Sequence, residues 1–551
     1  MKKFSLLPLV TLAALLLLVA IPVFFVVLQA VFPQLEKGLF SAPFSAFYLL
    51  FNQSGLGALL SGTLQVGLGV AVGSAIIGIP LGALRGLFSL PLARVWDLLF
   101  LVPFLIPPYI AALSWMLALQ PQGYMEQLFS LHLSEWLFSL PGIIGVMTLN
   151  IFPVVYFAVS RSMAASGHRL AEVARVHGAG PWQAFARVTL PLALPAMAAS
   201  LLLAFTLAIE EYGVPAALGS RSGVRVMTSG IEQRLADWPI DLPGAAVLSL
   251  LLVAIALTAF TLQRAIVRGR NVETTTGKPA PVMERHLGGW RWPVLFLFAG
   301  TALISVGLPV ASMLATAFSR TLSGGLSLSN LTVQHFSGLL GGQSEGLSAL
   351  TTSISLALGS ALLTGVIGFL AAWLVVGRRV RGATAIDALS LLPAAVPGIV
   401  IGVGLILAWN HSFWPISPYN SWVILLMAYS CLLLPYPVRY VGAALAQIGG
   451  NLESAARVHG ATAFNALRCI VLPLIFPSLM ASMMLVFAVA ARELVTSLLL
   501  SPAGVQTVSI FVWRQFEQGS VGDGMAMASV TVFFSLTIML LALRLNQRHL
   551  R

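Results

Sequence analysis

Charge is what this sequence has least of: 9% of its 551 residues are Asp, Glu, Lys or Arg, against 58% hydrophobic. A water-soluble chain of this length needs a charged surface around several cores, so that class is excluded. Cysteine is nearly absent. Cys431 and Cys469 lie in an apolar run and in a polar gap, which excludes a disulfide framework and predicts buried or inert thiols. The eight histidines form no two-His helical pair and no Cys/His cluster, so no metal site is expected. A Gly-x-x-x-x-Gly-Lys-Ser/Thr loop is missing too. Gly277-Lys278 runs into Pro279, which removes a phosphate cradle and predicts a chain that is no enzyme and binds no cofactor of its own. The net charge of +12 is spread through short gaps instead of gathering on one face, so nucleic acid is not the expected partner.

What is present is a series of long apolar runs, at 5–31, 55–84, 96–119, 140–160, 190–215 and 244–266, then 291–318, 349–377, 385–409, 421–441, 473–500 and 525–545. Each is roughly 20 residues or longer, enough to cross about 30 Å of hydrocarbon as a helix, so the lipid bilayer is the expected environment. Lys2-Lys3 before Phe4–Phe32 looks like the start of a signal peptide, but the apolar part exceeds the roughly 7 to 15 residues of a cleavable core, and a retained first helix is expected. The polar segment 268–289 reads as a cytoplasmic linker between a first half, 1–267 (core about 55–267), and a second, 290–551 (core about 348–545). Basic residues fill alternate gaps. Of the 30 Lys and Arg, only Lys37, Arg221, Arg225, Arg234, Arg320, Arg492 and Arg514 fall in the other set of gaps, which places both termini in the cytoplasm of a multi-pass inner-membrane protein.

The halves repeat. Ala174-Arg175-Val176-His177-Gly178-Ala179 recurs 282 residues later as Ala456-Arg457-Val458-His459-Gly460-Ala461. Leu190-Pro191-Leu192 recurs at the same offset as Leu472-Pro473-Leu474. Pro103 and Pro107 of the third span match Pro393 and Pro397 of the ninth; they predict kinks, with helices broken around a substrate as the alternative. Six spans per half insert both copies with one orientation, so the expected fold is all-α integral membrane, about 12 transmembrane helices as two parallel six-helix repeats.

The repeated segment lies between spans four and five of each half, on the cytoplasmic side. Glu172 to His177 favours a short helix, Gly178 a turn, and Pro181 a second helix leading through Leu190-Pro191 into the membrane. This pattern resembles the EAA loop of bacterial ABC-importer permeases, and both copies keep 13 residues from Gly178 to Pro191 and from Gly460 to Pro473. The copies depart from it unequally: Val173 replaces the first alanine after Glu172, and Ser454 stands six before Gly460, with Glu453 one place earlier.

More closely, the chain resembles the fused twelve-span permeases of the ferric-iron importer family, whose relatives include thiamine and phosphonate permeases. Glu211-Tyr212-Gly213-Val214-Pro215 and Arg492-Glu493-Leu494 with Ser501-Pro502 match the stretches that follow spans five and eleven there. The resemblance implies type I ABC importer transmembrane domains working by alternating access. It also implies two ABC ATPase subunits, with ATP and Mg, docked on loops carrying Glu172, Ala174, Arg175, Gly178 and Pro191, and Glu453, Ala456, Arg457, Gly460 and Pro473. A soluble or anchored substrate-binding protein would dock on the outer side. Glu210 and Glu211 align with Arg492 and Glu493, and charges at membrane depth make these four candidates for a gate or path, with an outer-interface anchor as the plainer role. An ion-gradient-driven secondary transporter also has twelve spans in parallel halves; it lacks the EAA loop.

Overall fold

The computed structural model describes residues 6–52, 55–166, 168–268, 285–339, 341, 344–376, 380, 382–411, 414–448 and 451–549. Most of the expected linker, 269–284, lies outside the described residues. Among the described residues nine helices are long and apolar enough to cross a membrane, and three bent helix pairs raise the number to twelve when each pair is one span. Two of these pairs are the third and ninth spans. Ala93–Leu105 meets the following helical segment, Pro108–Phe129, at 95°, and Ala383–Ala395 meets Gly398–Trp409 at 115°. The expected kinks are therefore full breaks at Pro107 and Pro397, while Pro103 stays inside its helix. A proline drives the residue before it out of helical geometry, and Ile106 (ψ 125°) and Val396 (ψ 121°) are both extended. Trp422–Leu433 and Pro435–Ile448 bend by only 43°.

Other prolines are absorbed differently. The four π turns among the described residues, Leu16–Ala20, Phe185–Thr189, Leu303–Gly307 and Leu467–Val471, each run directly into an X-Pro step: Ile21-Pro22, Leu190-Pro191, Leu308-Pro309 and Leu472-Pro473. Proline lacks an N–H and its ring collides with the carbonyl four residues back. Widening the helix by one residue before the ring lets the span continue.

The fifth and eleventh spans stop earlier than their apolar runs. Their helices end at Glu210 and Ala490, and short helices restart at Gly213–Ser222 and Val495–Leu500. The fourth is longer, Leu140–Ser166.

Contacts divide the chain into two compact units: Met1–Gln53 with Ile231–Val253 and Thr332–Arg551, and Ser54–Gly230 with Ala254–Leu331. Each unit takes the opening helix of the opposite sequence half. In one, Ile21–Val31 packs along Gly398–Trp409, close enough that a Cβ on Gly404 would lie 2.6 Å from the Pro22 carbonyl oxygen. In the other, Leu308–Ala317 packs on Pro108–Leu119, Tyr124 Oη shares a hydrogen bond of 2.9 Å with Thr316 Oγ1, and Phe298 stacks on Phe100.

Within the second unit the densest packing joins Leu56–Leu87 to Leu140–Ser166. Lipid tails are as apolar as leucine, so helices associate in a membrane through close backbone approach. Gly78, Gly82 and Gly86 provide it: a Cβ on Gly82 would meet the Tyr156 carbonyl oxygen at 2.7 Å, and one on Gly86 that of Ser160 at 2.5 Å. Beside this stripe Asp97 is held by Arg85 (Nη2 to Oδ2, 2.8 Å) and by the Tyr156 hydroxyl (2.7 Å), so its charge is paired. Gly82→Val must displace backbone carbonyl, with an overpacking cost of about 1–3 kcal/mol or more. Expected is a lowered thermal midpoint in detergent, read by fluorescence-detected size exclusion, whereas Gly57→Val, in open space, leaves the midpoint unchanged.

Candidate functional site

The duplicated loops share one backbone design. The helix His168–Val176 closes with Gly178 at φ 91°, its N–H donating to Arg175 O (3.0 Å), while Ala179 N–H reaches back to Ala174 O (3.0 Å). This paired closure needs a left-handed residue at the glycine. In the second copy Asn451–Val458 closes with Gly460 at φ 86° and Ala461 N–H on Ala456 O (3.0 Å). Ala174 and Ala456 thus supply the carbonyls that end the two helices. Among the described residues no neighbour lies within 4 Å of a Cβ on either glycine, so within the chain it is the backbone conformation that calls for glycine.

The next helices start differently. Gly180 precedes Pro181 in the first copy, with Gln183 Oε1 accepting from the Gly180 N–H (3.4 Å). In the second, Thr462 Oγ1 accepts from Asn465 N–H (3.2 Å). Each then passes through its π turn and Leu-Pro step into the membrane, giving continuous rods Pro181–Glu210 and, from Leu467, Leu467–Ala490. Glu172, Arg175 and Val176 are exposed, as are Trp182 and Val458, so both loops present apolar as well as charged groups to water. The side chains of Glu453, Ser454 and Arg457 lie outside the described residues.

At the far ends of these rods stand the four acidic and basic candidates. Glu210 is the last residue of its helix, and Arg492 follows Ala490 by two. Glu211 and Glu493 act as caps: Glu211 Oε1 accepts from Gly213 N–H (2.8 Å), and Glu493 Oε1 from the Thr496 N–H (3.1 Å) and hydroxyl (3.3 Å). Both therefore anchor the restart of the next short helix.

Three residues outside the sequence reasoning brace breaks and helix starts within their own units. Asn150 Nδ2 donates to Pro103 O (2.6 Å) and Ile106 O (3.3 Å), satisfying carbonyls freed at the break of the third span. Its signal was an amide inside an apolar run. Thr63 Oγ1 accepts from Met227 N–H and Ser353 Oγ from Val508 N–H, both at 2.8 Å, each at the first residue of its helix. On that helix in the first repeat, burial first and then the nearby Asp237 and Glu517 push the Glu232 carboxyl above the usual range. Among the described residues no group of three or more His, Cys, Asp or Glu could hold a metal ion, and both cysteines are free, Cys431 buried and Cys469 exposed.

With this geometry in view, a family model described as binding-protein-dependent transport system inner membrane component matches residues 74–272 and again 364–551. The chain belongs to that family. It is a multi-pass inner-membrane permease of the ABC importer class, a translocation component. The permease is 26% identical to the Fe(3+)-transport system permease protein of Haemophilus influenzae over 95% of this chain and 96% of that one. It is 24% identical to the ferric transport system permease protein of Actinobacillus pleuropneumoniae, over 86% and 68%. A putative 2-aminoethylphosphonate transport system permease protein of Salmonella typhimurium is 28% identical over 44% of the permease and 89% of its own length. Among solved structures, a bacterial ABC transporter involved in the import of the acidic polysaccharide alginate matches 47% of the permease and 94% of its own chain, at 18% identity and a TM-score of 0.36.

Proposed function

We propose that the permease is the complete translocation pore of a ferric-iron importer, with halves 1–267 and 290–551 joined by the linker 268–289. Two separate ABC ATPase subunits, carrying ATP and Mg, dock on the cytoplasmic loops, and a soluble or anchored binding protein delivers substrate from the outer side. Both termini are cytoplasmic in this reading. The observation that carries it is the duplicated loop, with one glycine-closed helix and one rod in each copy. At about 1.5 Å per residue a 30-residue rod from Pro181 to Glu210 reaches about 45 Å, so displacement of the loop helix by the closing ATPases becomes displacement at Glu210 and Glu211. Ferric iron is favoured because the ferric relatives match over most of the chain. Deleting the gene is expected to reduce uptake of radiolabelled ferric iron and growth under iron limitation; intact iron uptake with loss of phosphonate or thiamine uptake moves the assignment to those solutes.

The loops transmit the cycle through their glycines. A β-branched residue resists left-handed geometry by roughly 1–2 kcal/mol, so Gly178→Val and Gly460→Val insert normally and lose ATP turnover stimulated by the loaded binding protein. Gly178→Asn, which tolerates that geometry, keeps it. The first loop is the more sensitive, because it retains the Glu172 spacing. Normal stimulated turnover and uptake in reconstituted vesicles for both valine variants would sink the assignment.

Glu210 and Glu211 at the end of one rod, and Arg492 and Glu493 at the end of the other, are the candidates for the path or gate. A carboxylate at a helix C-terminus opposes the helix dipole by about 0.3–1 kcal/mol, while Arg492 at the equivalent position complements it. Glu210 is thus kept against a local cost, as a cation path requires. Glu210→Gln is expected to leave thermal stability equal or higher and to lower ferric uptake; unchanged uptake leaves these residues as anchors.

A further inference from the structure

The end of the linker builds a cavity whose lining includes none of the loop or path candidates. Phe88-Ser89, just past the end of the Leu56–Leu87 span, pairs in parallel with Arg285-His286, just before the span that begins at Gly288. Between them lies a cavity of about 420 Å³ whose polar lining is Ser89, His286 and Arg291 and whose apolar floor is Leu90, Pro91 and Leu287. Among the described residues no acidic side chain lines it. Ser89 Oγ and His286 Nδ1 share a hydrogen bond of 3.0 Å, fixing the imidazole against the rim.

The position decides what such a cavity meets. It sits where one apolar span ends and another begins, the depth of lipid headgroups. The aromatic residues around it mark the same level: Trp290 (74% exposed) and Trp292 (67%) flank Arg291, and Trp96 Nε1 donates to Pro91 O (3.0 Å) at the rim. The Arg291 guanidinium lies 4.9 Å from the Trp292 ring centroid, which orders it without neutralising it. One turn further along, Phe296 is 82% exposed, an apolar track for an acyl chain leading away from the cavity.

We infer that this cavity binds the phosphate-bearing head group of an anionic phospholipid, with Arg291 on the phosphate, Ser89 and His286 on the remaining polar atoms, and Trp292 and Phe296 along the chain. The bound lipid clamps the end of the linker to the loop after the second span. A free phosphate shares the head group's chemistry but has no use for the apolar track.

Native mass spectrometry of the full permease released from nanodiscs of mixed phosphatidylglycerol and phosphatidylcholine tests this. Retained phosphatidylglycerol is expected to exceed phosphatidylcholine, and Arg291→Glu to reduce its retention by about fivefold or more, since a basic residue at an anionic surface contributes about that factor. His286→Ala, a milder change, reduces it less. Arg264→Glu, which removes a cation beside Phe260 elsewhere, leaves retention unchanged. Equal retention by Arg291→Glu and the unaltered chain would overturn the site, as would an equal fall with Arg264→Glu, which indicates general surface charge. Thermal stabilisation by inorganic phosphate alone in lipid-free detergent, lost in Arg291→Glu and without preference between the two lipids, would overturn the lipid assignment in favour of the free anion. If Arg291→Glu fails to insert, the His286→Ala result decides: undiminished retention there overturns the proposal.

Discussion

An amide or carbonyl without a partner in hydrocarbon is so unfavourable that its satisfaction constrains every irregularity in a spanning chain. Three buried polar side chains stand where helices are interrupted. Asn150 bridges the carbonyls at the break of the third span, and Thr63 and Ser353 meet the first amides of helices that begin inside the fold. Where no side chain reaches, the backbone adjusts itself, through a π turn ahead of proline or a left-handed glycine at a helix end. The span breaks and the ends of the two rods are therefore products of the same constraint that keeps the spans intact.

The duplicated halves answer that constraint unequally. Gly78 and Gly368 take equivalent places in the second and eighth spans, but Gly82 and Gly86 correspond to Ala372 and Val376. The fourth span is one helix through Pro153, whereas its counterpart bends at Pro435. Glu210 faces the dipole of its helix and Arg492 complements it. Fusion into one chain lets such differences accumulate, since each repeat always has the same partner.

Much of this was legible before any coordinates. Run length identified the spans because hydrocarbon thickness sets a minimum, and the loops stood out because Ala-Arg-Val-His-Gly-Ala recurs with a fixed distance to Leu-Pro. The breaks at Pro107 and Pro397 were not, since a proline yields a kink, a π turn or a full break according to which neighbour can take the freed groups. Asn150 was visible as an amide, but its partners 44 and 47 residues away were not. The exchange of opening helices left almost no mark, because apolar faces in lipid do not name their partners; Gly404, against the Pro22 carbonyl, is its one trace in composition. The early ends at Glu210 and Ala490 were hidden by apolar residues that continue past them into the next short helices.

That exchange has a consequence in time. Ile21–Val31 leaves the ribosome more than 360 residues before the Gly398–Trp409 helix it packs against. At about 5–20 residues per second the interval is on the order of half a minute. Over that interval the helix lacks this partner, and its composition suits lipid: Leu7–Val31 carries no charge, and its one side-chain amide, Gln29, donates through Nε2 to the carbonyl of Pro33. The order of synthesis thus asks of this helix a self-sufficiency that the finished fold no longer displays.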